Sequence, residues 1–188
     1  MLTLTLVRHG QTTENLEGIL QGQSAGHLND TGVQQAEALR DTLDKADYDC
    51  IVCSDLDRTR RTALILNEKL NLPIHYTSLL RERDWGEYTG LPIKQVTLPP
   101  EQFPPSIENP QQLADRARQF LSFILSNYDG QRILAVGHGY FNRCVQAVIE
   151  QQSVRSTPRW NNTETRTFQI TAEVLTHSTP TDYIISEN

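Results

Sequence analysis

Three short apolar runs, residues 2–7, 49–54 and 133–136, do most to restrict what this chain can fold into. They have strand length, and segments of helical period stand between them. Asn29 is placed to cap a helix running to about Ala46, with Val33, Ala36, Leu39 and Leu43 near helical spacing. A second helix spans about Asp57 to Leu70 and is stopped by Asn71-Leu72-Pro73, after which Ile74 to Thr77 suit a further short strand. A third begins at Pro110 behind Asn109, presents Leu113, Ala117, Phe120, Leu121, Ile124 and Leu125 on one face, and ends at Asp129-Gly130. A fourth follows Gly137-His138-Gly139 and carries Phe141, Val145, Val148 and Ile149. Two or three weaker strands fit between Thr163 and Ile185. This alternation predicts an α/β fold, a three-layer α/β/α sandwich with a mostly parallel central sheet.

Two stretches fall outside the alternation. Residues 10–28 are rich in Gly, Gln, Ser and Thr and read as a long loop. Residues 91–110 hold six of the chain's 9 prolines, so they cannot continue a helix or sheet and read as an extended excursion or lid. The whole, residues 1–188, is expected to form one domain with that excursion.

Composition narrows the function. A net charge of −6 argues against a general nucleic-acid binder, although an acidic protein can still carry a locally basic pocket. No signal peptide is evident, and no apolar run approaches the roughly 20 residues that span a bilayer. The 3 cysteines, Cys50, Cys53 and Cys144, are an odd number, and Cys50 and Cys53 fall inside a buried strand, where thiols are structural. A reducing cytoplasm is the expected location.

The ends of the apolar runs carry the chemistry, as expected where open α/β sheets bind ligands. Arg8-His9-Gly10-Gln11-Thr12 follows the first, with Asn15 and Gln21-Gly22 beyond it. Ser54-Asp55-Leu56-Asp57-Arg58 follows the second and leads to Thr62-Ala63. Leu80-Arg81-Glu82-Arg83-Asp84-Trp85-Gly86 lies on a loop, and Val136-Gly137-His138-Gly139 ends the last run. In order and spacing these four segments resemble the histidine phosphatase superfamily, in its phosphoglycerate-mutase-like branch, over roughly residues 4–145.

The resemblance implies covalent phosphoryl transfer. His9 would be the nucleophile, neutral so that it can attack. Arg8 and Arg58 would hold phosphate oxygens with planar forks, and His138 would donate to the transferring group. Asn15, Gln21 and Gly22 join Arg8, Arg58 and His138 in the implied substrate-binding set. Glu82 would be the general acid, its pKa raised beside a bound phosphate dianion. The scheme implies no metal and no cofactor. A small phosphorylated metabolite is the expected partner, without nucleic acid or membrane, and a homodimer is permitted.

Other charged and aromatic residues have simpler readings. Arg60 and Arg61 suit a solvated helix face, and His75 and His177 a surface. His27 lies in the first loop with access to the pocket. The histidines show no metal-ligand spacing. Trp85, Tyr88, Tyr140 and Phe141 form either an aromatic substrate wall or ordinary packing. Three features depart from the family pattern: Glu14 stands where many members have Trp, Tyr140 where a glycine is common, and Ser24-Ala25-Gly26-His27-Leu28-Asn29 replaces a Pro-Leu-Thr-like stretch. None removes a catalytic group.

Mutases of the family it resembles typically carry a longer insertion after the glutamate and an extended C-terminal segment over the site. Here the segment between Glu82 and the Pro110 helix is short and the chain stops at Asn188, so the resemblance implies hydrolysis rather than a mutase reaction. A catalytically silent phosphate-binding protein is the alternative from another class, and the presence of nucleophile, acid and both arginines counts against it.

Overall fold

The structure, a computed structural model, describes residues 1–176. One sheet contains β1 (Leu2–Arg8), β2 (Cys50–Ser54), β3 (Ile74–Thr77), β4 (Arg132–Gly137) and β5 (Thr165–Ile170), in the order β3-β2-β4-β1-β5. The first four in that order are parallel, and β5 closes the edge antiparallel to β1. The helices are α1 (Thr13–Glu17), α2 (Asp30–Thr42), α3 (Asp57–Leu70), α4 (Pro110–Tyr128) and α5 (Gly139–Glu150). α2 packs with α3 and α4 with α5, so the sheet lies between two helical layers.

Strand β2 shows why. Ile51 and Cys53 join Ala63, Leu66 and Leu70 of α3 in one core, while Cys50 and Val52 join Phe120, Ile124 and Val145 in the other. Alternate residues face opposite ways, so a strand covered on both sides must be apolar throughout. Each such leucine, isoleucine or phenylalanine contributes about 1.5–3 kcal/mol by leaving water.

Register positions the chemistry. Arg8 pairs opposite Gly137, and Cys53 opposite Val136. The carboxyl ends of β1, β2 and β4 therefore emerge together, bringing Arg8-His9, Ser54 and His138 to one edge. Gly10 and Gly32 let the first loop pass directly against the start of α2, since a Cβ on either would collide with the other segment's backbone.

Several expectations change. α2 stops at Thr42, not near Ala46: Leu43 turns extended and buries its side chain, and Asp44 caps a separate turn at Lys45–Asp47. The first loop contains α1, set by reciprocal hydrogen bonds between Thr12 and Asn15. Between Thr163 and Thr176 there is one strand, β5, followed by a single turn at Ala172–Leu175; the remaining strands expected there, and His177, lie outside the described residues. The proline-rich excursion is stitched to the first loop, Leu20 N–H donating to the Leu91 carbonyl at 2.9 Å and Ile93 N–H to that of Gly18 at 2.8 Å.

Candidate active site

His9 leaves the end of β1 and is buried. Its Nδ1 lies 2.7 Å from the Gly10 carbonyl oxygen. A carbonyl only accepts, so Nδ1 carries the proton and the lone pair falls on Nε2. Burial holds the pKa well below the ordinary imidazole range, and the charges of Arg58 and Arg8 lower it further. His9 is therefore neutral at pH 7, with burial rather than neighbouring cations as the larger cause. Thr62 fixes this loop to α3: its hydroxyl accepts from Gly10 N–H at 3.1 Å and donates to the Arg58 carbonyl at 2.8 Å.

His138 caps α5 with its backbone, and its ring centroid lies 5.2 Å from that of His9. Its Nε2 is 2.9 Å from Ser54 Oγ, while its buried Nδ1 has no hydrogen-bond partner. Burial, then the charge of Arg58, pushes this imidazole well below its usual pKa as well. Ser54 Oγ accepts from Leu56 N–H at 3.4 Å, which leaves its own proton to donate to His138 Nε2, and the neutral ring then carries its proton on Nδ1 as a donor.

The two arginines are gripped by backbone oxygens. Arg58 donates to the carbonyls of Gly22 at 2.6 Å and Ser24 at 2.8 Å, and Arg8 to that of Trp160 at 2.5 Å. Both retain a buried Nε without a partner. Burial lowers Arg8 and brings Arg58 to about 10, so both stay charged at neutral pH.

Glu82 sits against the first turn of α5. Its carboxylate accepts from the N–H groups of Arg83 at 2.8 Å, Phe141 at 3.0 Å and Tyr140 at 3.1 Å. Burial raises its pKa, opposed by the Arg83 N–H and the two arginines. Arg116 braces this loop from behind: it donates to the carbonyls of Leu79 at 3.1 Å and Arg81 at 2.6 Å, and to both Glu108 oxygens at 2.7 Å.

Asn15 accepts at Oδ1 from Thr12 N–H at 3.2 Å, which leaves its amide N–H free to face the pocket. Gln21 and Gly22 line the same space, but Gln21 Nε2 is engaged by Thr12 Oγ1 at 2.8 Å, and Gly22 serves through the carbonyl that holds Arg58. Together these residues enclose an inner pocket of about 180 Å³ over His9. It adjoins a vestibule of about 460 Å³, and the two share Arg8, Leu20, Glu82, Trp85, Ile93 and Tyr140.

The structure thus brings Arg8, His9, Asn15, Gln21, Gly22, Arg58, Glu82 and His138 together. It does not bring in His27, which is exposed and pairs with Asp57, or His75, which is exposed beside Tyr128. Arg60 and Arg61 are exposed. Phe141 is no wall residue: it is fully buried under Arg116, because its backbone N–H rather than its ring faces Glu82. Tyr88 packs on Phe103 instead of lining the cavity, and Phe103 and Trp160 line it in its place. All three cysteines are free and buried, with burial raising Cys50 to about 11 and Cys144 to about 12. Among the described residues no cluster of three or more His, Cys, Asp or Glu is placed to hold a metal.

Sequence reasoning assigns no role to Ser54, Glu108, Arg116 or Trp160. Ser54 stands in a strand-end motif and was accessible on that ground, whereas Arg116 and Glu108 read as ordinary polar residues near α4's start.

Comparison with known proteins follows the same lines. Residues 4–178 match the histidine phosphatase superfamily (branch 1). The uncharacterized phosphatase PhoE of Bacillus subtilis is 37% identical over 140 residues, 74% of this chain and 72% of its own length. The probable phosphoglycerate mutase GpmB of Salmonella choleraesuis is 34% identical over 161 residues, 79% of this chain and 75% of its own. A solved mycobacterial glucosyl-3-phosphoglycerate phosphatase superposes with a TM-score of 0.80 at 25% identity, covering 88% of this chain and 91% of its own.

Proposed function

The chain belongs to the histidine phosphatase superfamily, branch 1, and on that premise we propose that it hydrolyses a small phosphomonoester through a phosphohistidine at His9. One observation carries this reading. A neutral imidazole with a free Nε2 stands among three buried donors that no protein group satisfies, Arg8 Nε, Arg58 Nε and His138 Nδ1. Unpaired buried donors are costly, and a phosphoryl group with three equatorial oxygens satisfies such a set.

His9 Nε2 attacks phosphorus as the ester P–O bond breaks. The departing oxygen takes a proton from Glu82, which burial favours in its protonated form. Fixed cations stabilise the charge spread over the three oxygens without reorganising. Glu82, now a carboxylate, removes a proton from water as that water attacks phosphorus. The N–P bond breaks, releasing inorganic phosphate and restoring neutral His9 and protonated Glu82.

Relatives carry both phosphatase and mutase names. The vestibule favours hydrolysis: a space of about 460 Å³ beside the inner pocket gives water a route to the phosphohistidine that a transferase must close.

The test is turnover of an aryl phosphate with chelator present, together with trapping of acid-labile, base-stable phosphate on the protein. Activity is expected to survive chelation, and His9→Ala to lose both turnover and label. Undiminished turnover by His9→Ala overturns the nucleophile, and binding without any turnover by the wild type favours a silent phosphate-binding protein.

A further inference from the structure

The vestibule has a chemical character of its own. Its lining includes an apolar set, Leu20, Trp85, Ile93, Phe103 and Tyr140, beside Arg8, Arg83 and Glu82. Arg143, Arg159 and Trp160 line it as well. Beyond it lies a second concavity of about 560 Å³ that shares Tyr140, Arg143 and Arg159 and adds Arg155. Among the described residues lining these two spaces, Glu82 is the one acidic side chain, and backbone N–H groups already engage it.

That basic wall stands out on a chain with net charge −6. Arg40, Arg81, Arg116, Arg118, Arg132 and Arg166 each pair with a carboxylate. Arg143, Arg155 and Arg159 pair with none among the described residues, as is also true of Arg8 and Arg58 in the inner pocket and of the exposed Arg60 and Arg61 on α3. Arg143 is pinned by the carbonyls of Val154 at 2.5 Å and Thr157 at 3.2 Å, which orients its guanidinium without neutralising it. Burial lowers its pKa, and Arg159 lowers it further, so the two charges lie within each other's field. Trp160 supplies an independent sign: only 3% exposed, it lines the vestibule, yet its buried indole N–H has no hydrogen-bond partner. An indole N–H only donates and is normally satisfied when buried.

We infer that the vestibule selects phosphomonoesters carrying a second acidic group, separated from the transferred phosphoryl by an apolar spacer and received by Arg159 and Arg143 with the Trp160 indole N–H. This rests on the hydrolase reading of the inner pocket and adds a substrate class to it. Planar guanidinium forks match both carboxylate and phosphonate oxygens. The spacer would lie along Trp85, Phe103 and Tyr140 while His9 engages the phosphoryl end.

The experiment compares matched pairs on the full chain. Phenyl phosphates bearing a para carboxylate, carboxymethyl or phosphonomethyl group are each set against the uncharged carboxamide or methyl ester of the same length. We expect at least one acid to exceed its neutral partner about tenfold in kcat/KM, with the preference falling as salt rises. Arg159→Gln, an exposed site where misfolding is not at issue, is expected to bring that ratio to within about twofold while unsubstituted phenyl phosphate changes little. Non-hydrolysable phosphonate versions of the same pairs, titrated by calorimetry, read the selectivity without turnover. The inference is overturned if no acid is preferred at any spacer length, or if the preference persists in both Arg159→Gln and Arg143→Gln. Absence of any turnover, with acid-selective phosphonate binding retained, strikes the hydrolase reading and leaves the acid subsite standing.

Discussion

The inner pocket and the vestibule adjoin and share six lining residues, yet they are built from different material. The inner pocket stands on strand ends and the first turns of helices: His9 after β1, Ser54 at the end of β2, Arg58 in the first turn of α3, and His138 between β4 and α5. Sheet register and helix start place these groups before any loop is considered. Most of the vestibule, including Trp85, Ile93, Phe103, Arg159 and Trp160, belongs to connecting segments, with Tyr140 and Arg143 contributed by α5. Chemistry that requires fixed geometry occupies the rigid frame, and discrimination among substrates occupies segments that can vary without disturbing it.

The largest test of this division is Arg58→Lys. A lysine keeps the charge but loses the fork and the bonds to Gly22 and Ser24, so kcat/KM should fall about 10²–10³-fold for every phosphomonoester alike. A loss confined to particular substrates would break the separation of the two regions.

Glu82 stands at their boundary. Glu82→Gln should cost alkyl phosphates about 10²–10⁴-fold and aryl phosphates much less, since a phenolate leaves without help. Equal losses on both would make Glu82 a phosphate-positioning residue. Trp85→Ala belongs to the outer region, and we expect KM to rise up to about tenfold for bulky aryl substrates while kcat on small ones holds within about twofold.

The smallest effect is on stability. Free imidazole titrates near 6.5, and the folded values of His9 and His138 lie well below it. Below pH 6.5 the unfolded chain takes up protons that the native site refuses, so stability falls as pH drops from 7 to 5, by up to about 1.4 kcal/mol per pH unit for each histidine. Glu82 acts oppositely: its raised folded pKa means the native state protonates first, so its contribution grows as pH falls. Denaturant midpoints at pH 5, 6 and 7 should show a shallower slope in His138→Gln, and an unchanged slope would mean that His138 is not held neutral by the fold.

The catalytic candidates were legible because they sit at places where local pattern is strong. Short apolar runs announce buried strands, and polar residues at their ends have few structural duties. Asn29 and Asn109 likewise signal helix starts through side-chain hydrogen bonds that need no tertiary partner. Arg116 was not legible. Its role depends on α4 crossing behind the Glu82 loop, where one guanidinium meets carbonyls and a carboxylate from segments 8 to 37 residues away. Phe141 stayed open between substrate wall and packing for a related reason: nothing in the local sequence shows that its N–H meets Glu82 while its ring turns inward. α2 ended early because burial of Leu43 outweighed continued helical hydrogen bonding.

By itself, the sequence determined the alternation of strands and helices, the segments that carry reactive side chains, and their family. Those follow from hydrophobic period, capping and residue chemistry, which act over a few positions. Only the tertiary structure decided which imidazole nitrogen is free, that burial more than charge keeps both histidines neutral, and that Arg143, Arg159 and Trp160 line one vestibule. These depend on desolvation and on contacts between distant segments, which exist only once the chain has closed on itself.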